Sequence, residues 1–217
     1  MHEKGRTQLH PTWPQKRGRQ TLYFREPHQT HKTIRKCQSQ GHIGVVQRHT
    51  IIIWRMPLND EQRLTIWQQN VNKSPISQHT LISNTILIEH NIDILALQKP
   101  AVNAFNQSSL SKDWISIYPS THHLHPNKTH TLTLICASIS TDSWEQIEFL
   151  SGDITALTLK GEWGKIFLLN IYNNCDNNET IKALTRFHEN YEELAEQAGQ
   201  ANIHIIWLGD FNRHHQY

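Results

Sequence analysis

The sequence predicts an α/β (α+β) fold, a sandwich of sheet and helix, on three observations. From residue 64 onward, short apolar segments rich in Ile, Leu, Thr and Trp recur between turn residues, as strands do. Two other segments space their apolar residues by three and four, as one face of a helix does. The last segment, Ile203-His-Ile-Ile-Trp-Leu-Gly209, is almost continuously apolar, which predicts a strand covered on both faces.

The elements follow in order. Leu64-Thr-Ile-Trp-Gln-Gln-Asn70 alternates and predicts a strand. Ser74-Pro75 is a helix-start signal, and Leu81, Ile82 and Ile86 can line one helical face. Ile92–Gln98 is a second apolar strand, so residues 64–98 make a βαβ unit. Strands are predicted at Trp114–Tyr118, Thr131–Ile139, Ile154–Leu159 and Lys165–Tyr172. Thr155, Leu157 and Leu159 share one face, as in a sheet packed on one side, and Lys160–Gly164 reads as a hairpin turn. Ile181, Leu184, Phe187, Tyr191, Leu194 and Ala198 predict a second helix, capped by Asn177 or Asn178 and stopped by Gly199.

Charge divides the chain. Residues 1–58 hold eleven Lys/Arg against two Asp/Glu, and residues 59–217 hold ten against seventeen. The basic segment has no sustained period and few apolar residues to offset the entropy of ordering, so 1–58 is read as a mostly disordered arm. Ile43–Val46 and Ile51–Trp54 are expected to form at most transient strands there. A domain is expected over 59–217. A basic arm before an acidic body fits a nucleic-acid partner or a solvated tail equally well. Three dispersed cysteines point to a reducing, intracellular compartment instead of a disulfide framework. The start of the chain lacks the apolar core of a secretory signal, and no run is long enough for a membrane span, so a membrane partner is not expected.

Residues able to do phosphate or metal chemistry stand at strand ends: Asn70 and Asn72, Gln98 and Lys99, Asn170 and Tyr172, Asp210 and Asn212. Strand ends of one sheet converge on a common edge, where α/β proteins place their sites. Taken singly, each has a plainer explanation. Asn70 can cap a turn, Tyr172 can be half-buried with a wet hydroxyl, and Asp210-Phe-Asn212 can be a strand exit.

Four segments in order carry a resemblance: Trp67-Gln-Gln-Asn-Val-Asn-Lys-Ser74, Asp93-Ile-Leu-Ala-Leu-Gln-Lys-Pro100, Leu169-Asn-Ile-Tyr-Asn-Asn174 and Trp207-Leu-Gly-Asp-Phe-Asn-Arg-His-His215. Together they resemble the endonuclease/exonuclease/phosphatase superfamily, and within it the DNA-nicking nuclease domain of fungal LINE-type retrotransposons. The resemblance implies a four-layered α/β sandwich, two packed β-sheets flanked by helices. It implies Mg²⁺-dependent phosphodiester hydrolysis on DNA, and a nuclear location. Asn70 would help arrange the metal and the phosphate. Tyr172 would hydrogen-bond the scissile phosphate. Asp210 would orient or deprotonate the attacking water, and Asn212 would hold that water and the phosphate oxygens.

Two departures follow from the same resemblance. Where the family has the Glu that binds Mg²⁺, this chain has Lys99, an ammonium that repels a metal. The family's closing strand and Ser-Asp-His motif do not occur before Tyr217, so the domain is expected to be truncated at its C-terminus. The expected function is therefore a retroelement endonuclease domain that has become inactive, with Mg²⁺ binding in doubt. Lys99 is expected to point into the metal pocket and pair with Asp210. The alternatives are a small-molecule phosphoesterase of the same fold and a non-catalytic nucleic-acid-binding remnant.

Overall fold

The computed structural model describes residues 35–36, 52–57, 63–83, 87, 91–108, 111–161, 164–197 and 203–212. Two very short to medium strands come first, β1 (Arg35–Lys36) and β2 (Ile52–Pro57). Then follow β3 (Arg63–Asn70), helix α1 (Pro75–Ile82), β4 (Ile94–Gln98), β5 (Trp114–Ile117), β6 (Thr131–Cys136) and β7 (Trp144–Ile147). The β8 (Ile154–Gly161) and β9 (Gly164–Tyr172) hairpin, helix α2 (Glu179–Gln197) and β10 (Ile203–Asp210) complete the order. No helix among the described residues is long and apolar enough to cross a membrane.

Local chemistry starts both helices. The Ser74 hydroxyl accepts the Ser77 N–H (3.2 Å) and Pro75 opens α1, its fixed φ suiting the first turn. The Asn177 side chain accepts the Glu179 N–H at the start of α2 (2.9 Å). Each helix joins two parallel strands. β3 and β4 pair in parallel across α1, and β9 and β10 pair in parallel across α2.

The strands form two sheets, ordered β1-β2-β3-β4-β6-β5 and β10-β9-β8-β7. Because side chains alternate along a strand, each sheet offers two faces. Leu64, Ile66, Ile94 and Ile135 of the first sheet meet Leu157, Leu159, Ile166, Leu168, Ile206 and Leu208 of the second in one core. On the first sheet's other face, Trp67, Leu95, Leu97, Leu132 and Leu134 pack against Leu81 and Ile82 of α1. On the second sheet's other face, Ile154, Ala156, Leu169 and Ile171 pack against Leu184 and Phe187 of α2. The layers are helix, sheet, sheet, helix, the predicted α/β sandwich.

Several expectations are corrected. β2 pairs antiparallel with β3, from Ile52↔Gln68 to Pro57↔Arg63, so the sheet begins upstream of the expected boundary at Asn59. The edge of β3 offers unpaired N–H and C=O groups, and a β-branched pair such as Ile52-Ile53 is suited to them. Ile43–Val46, Ile86, Gly199 and most of residues 1–58 lie outside the described residues. β8 is buried on both faces, not one, because α2 covers its outer side. The hairpin pairing continues to Gly161↔Gly164, which narrows the expected turn. β7 was not expected at all. It is an edge strand with Glu145 and Gln146 exposed, and it carries too few apolar residues to signal itself.

Candidate functional site

Strand direction determines what gathers at one rim of the sandwich. β3, β4, β9 and β10 deliver their C-terminal ends, since Asn70 pairs with Gln98 and Tyr172 with Asp210. β6 and β8 run antiparallel to β4 and β9, so the same rim receives their N-terminal ends, through Gln98↔Thr131 and Ile154↔Ile171.

Beneath the rim lies a buried layer of amides and hydroxyls between the sheets. Gln98 Nε2 donates to Asn170 Oδ1 (2.7 Å), and Gln68 Nε2 donates to Gln98 Oε1 (3.1 Å) and to the Gly209 carbonyl (3.2 Å). Asn170 Nδ2 is shared between the carbonyls of Leu97 (3.2 Å) and Leu132 (3.1 Å) and the Thr133 hydroxyl (3.3 Å). The Thr131 and Thr155 hydroxyls bond to each other at 2.8 Å. Buried polar groups are costly unless partnered, and here they partner one another across the two sheets.

At the rim itself, Asn70 Nδ2 donates to Asp210 Oδ2 (2.7 Å), joining the first motif to the last across 140 positions. The other Asp210 oxygen accepts the Asn212 N–H (3.1 Å). Asn212 Nδ2 donates to the Asn173 carbonyl (2.9 Å), and Asn173 Nδ2 donates to the Phe211 carbonyl (2.8 Å). Asn70 Oδ1 accepts the Asn72 N–H (2.9 Å). Asn72, Lys73, Lys99 and Asn212 all have left-handed backbones, with φ between 46° and 56°. Asn adopts that region readily and Lys does not, so the turn at Lys99 is held against its own preference. The Lys99 N–H donates to the His130 carbonyl (2.7 Å) and its carbonyl accepts the Lys73 N–H (2.7 Å), which supply that hold.

The structure thus brings Asn70, Asp210 and Asn212 into one hydrogen-bonded group. Tyr172 is buried beside them, on the strand that pairs with β10. Lys99 reaches the rim but does not pair with Asp210. Its ammonium lies 5.0 Å from the centre of the Tyr172 ring, and Asp210 takes the Asn70 amide instead. The expected ion pair is corrected: Asp210 takes its hydrogen bonds from Asn70 and Asn212, and the Lys99 cation lies beside the aromatic ring.

Three participants were not foreseen. The His130 Nδ1 lies 2.5 Å from Asp153 Oδ1, and the Thr180 hydroxyl donates to Asp153 Oδ2 (2.7 Å). His130 precedes β6 and Asp153 precedes β8. Strand exits are marked in the sequence by a change from apolar to polar residues, whereas antiparallel strands bring their starts to the same edge. A pattern that alternates direction would have shown them.

Mg²⁺ takes oxygen ligands, usually including one or two carboxylates. Among the described residues no group of three or more His, Cys, Asp or Glu is placed to hold a metal ion. Both oxygens of Asp210 already accept hydrogen bonds, and the Lys99 ammonium stands at the same rim, beside the Tyr172 ring. These residues do not fit a divalent cation.

No family model matches the chain, and no curated protein matches its sequence. Among solved structures it is similar to the endonuclease domain of TRAS1, a telomere-specific non-LTR retrotransposon, at 13% identity and a TM-score of 0.46, covering 69% of this chain and 59% of that one. It is also similar to the AP endonuclease LMAP from Leishmania major, at 14% identity and a TM-score of 0.45, covering 70% and 58%. A third likeness is to D. rerio TDP2 complexed with a single-strand DNA product, at 13% identity and a TM-score of 0.40, covering 70% and 62%. The chain spans less than two thirds of each of these structures.

Proposed function

We propose that this chain is a DNA-directed nuclease domain of LINE-type retroelement origin, fungal in its motif spelling, which retains a phosphodiester-binding rim and has lost its hydrolytic turnover. The observation that carries the reading is the Asn70–Asp210 hydrogen bond of 2.7 Å. It joins two of the four motifs whose order resembles that nuclease family, at the edge where the other two also end.

The rim residues have the chemistry for phosphate. Asn70 and Asn212 orient the Asp210 carboxylate, which can hold a water and accept its proton. Tyr172 supplies a phenol beside it. Hydrolysis also needs the charge on the phosphoryl oxygens to be neutralised as the transition state forms, a task Mg²⁺ performs in metal-dependent nucleases. Lys99 offers one positive charge and N–H donors but, having no vacant coordination position, cannot bind and acidify a water as a metal does. Binding is kept and turnover is lost.

The test pairs supercoiled-plasmid nicking in Mg²⁺ with DNA binding measured at several salt concentrations. Salt-dependent binding without nicking is expected. Lys99→Glu, which restores a carboxylate, is expected to raise Mg²⁺ affinity, read by calorimetry. Mg²⁺-dependent nicking that disappears in Asp210→Ala would show that turnover survives. Binding of an inositol polyphosphate in preference to DNA would favour the small-molecule phosphoesterase reading.

A further inference from the structure

One aromatic ring at the rim is flanked by two nitrogen-bearing side chains that the Asn70–Asp210–Asn212 group does not use. The Lys99 ammonium lies 5.0 Å from the centre of the Tyr172 ring. The His130 imidazole lies 5.2 Å from the same ring, inclined at 58°. Their backbones are tied as well, because the Lys99 N–H donates to the His130 carbonyl at 2.7 Å.

His130 is held from behind. Its Nδ1 bonds to Asp153 Oδ1 at 2.5 Å, and the second Asp153 oxygen accepts the hydroxyl of Thr180, which is 0% exposed in the first turn of α2. The backbone repeats the restraint: the His130 N–H donates to the Gly152 carbonyl (2.9 Å) and the Tyr172 N–H to the Asp153 carbonyl (2.8 Å). Gly152 is required there, since a Cβ would stand 2.0 Å from the Lys128 carbonyl oxygen. The carboxylate fixes which ring nitrogen faces inward. Nε2 then has no hydrogen-bond partner among the described residues, while the side chain keeps 21% exposure. An imidazole whose inner nitrogen is anchored to a carboxylate, with its outer nitrogen free, is a directed donor when that nitrogen carries a proton.

We propose that Lys99 and His130, grouped around Tyr172, form a metal-free binding site for a single phosphate group. Lys99 supplies a fixed charge to the phosphate oxygens, and His130 Nε2–H supplies an oriented, charge-assisted hydrogen bond. Asp153 and Thr180 are positioning residues that act through His130. The inference rests on the reading of this rim as phosphate-binding, and it names what neutralises the phosphate where the residues do not fit a divalent cation. Internal phosphodiesters and terminal phosphates share this chemistry, and the probes below separate them.

The experiment uses the full chain in EDTA. Binding of a labelled oligonucleotide is measured with a 5′-hydroxyl and with a 5′-phosphate end, and inorganic phosphate is the competitor. Lys99→Asn suits the left-handed backbone at that position. It and His130→Gln are each expected to weaken binding by roughly tenfold, and Lys99→Asn to lower the salt dependence by about one unit of slope. Asp153→Asn is expected to weaken binding less. Preference for the 5′-phosphate oligonucleotide by about tenfold or more identifies a terminal phosphate as the ligand, and equal binding identifies an internal one. If His130→Gln melts early, the Nε2 nuclear magnetic resonance of His130 in the unaltered chain replaces it. A shift on adding phosphate is expected, and an unmoved signal overturns the proposal. DNA binding in EDTA that stays within about twofold in both variants overturns this site and leaves the DNA-binding rim standing. Absence of DNA binding, with phosphate binding that still depends on Lys99 and His130, overturns the nuclease reading and leaves the site.

Discussion

The two ends of the sheet–sheet interface are built from the same strands with opposite chemistry. Followed along its inner face, each strand passes from hydrocarbon to amide or hydroxyl. β3 runs Leu64, Ile66, Gln68, Asn70; β4 runs Ile94, Ala96, Gln98; β9 runs Ile166, Leu168, Asn170, Tyr172. β6 and β8, arriving from the other direction, begin with Thr131 and Thr155 and continue into Ile135 and Leu157. The apolar end holds the sheets together without directional preference. The amide end has few ways to satisfy its donors and acceptors, so it sets how the sheets sit on one another. The rim with Asn70 and Asp210 stands directly on that layer. A site that needs groups from both sheets at fixed distance is better supported by hydrogen bonds than by hydrocarbon alone.

Four substitutions probe this contrast. The largest effect is expected at Gly209, on the polar end, where φ is +146° and a Cβ would lie 1.8 Å from the Ile171 carbonyl oxygen of the paired strand. Gly209→Ala should separate β10 from β9 and cost more than about 4 kcal/mol, read as loss of the cooperative melt. A folded Gly209→Ala chain with a normal melting temperature would show that β10 does not need its close approach to β9.

Next comes a matched pair. Leu168→Ala empties part of the apolar end and should cost about 3 kcal/mol in chemical denaturation. Asn170→Ala leaves Gln98 and two buried carbonyls short of partners and should cost a similar amount, roughly 3 kcal/mol. The two should separate in function. Well below their melting temperatures, Leu168→Ala should bind DNA as the unaltered chain does, and Asn170→Ala should bind more weakly because the rim loses its support. Equal binding by both would break the comparison.

The smallest effect concerns Asp93, at the apolar end. Burial pushes its carboxyl above the usual carboxylate range, and the Thr65 N–H, which donates to it at 2.7 Å, pulls the other way. A raised value in the folded chain means that protonation favours the fold. That contribution is present in acid and is lost as pH rises through the folded value. Asp93→Asn keeps an acceptor for Thr65 without the charge. It should raise the melting temperature slightly at pH 7 and leave it unchanged at pH 3. A loss at neutral pH would mean that the charge itself stabilises the turn.

Much of the frame was legible in the chain. Alternation in Leu64–Asn70, and the three–four spacing of Ile181, Leu184 and Phe187, reflect local geometry, which any strand or helix imposes on its own residues. Ser74-Pro75 and Asn177 act on backbone groups within a few positions, so the helix starts were readable too. β2 was legible only as a transient piece at Ile51–Trp54 and β7 not at all, because strands with few apolar residues of their own owe their state to a partner's backbone. The site was half legible. Asn70, Tyr172, Asp210 and Asn212 stand at strand exits, which sequence marks by a change from apolar to polar. His130 and Asp153 stand at strand starts, and nothing local says that these starts reach the same edge.

The sequence by itself determined most of the strands, the starts of α1 and α2, most of the apolar faces, and that polar groups would collect where the strands stop. Those properties depend on neighbours one to four residues away. Only the tertiary structure decided that Lys99 lies over Tyr172 and not against Asp210, that Asn70 takes Asp210, and that Asp153 and Thr180 hold His130. These contacts join positions 23 to 140 apart. They depend on strand direction and on how two sheets stack, and neither is encoded within any one segment.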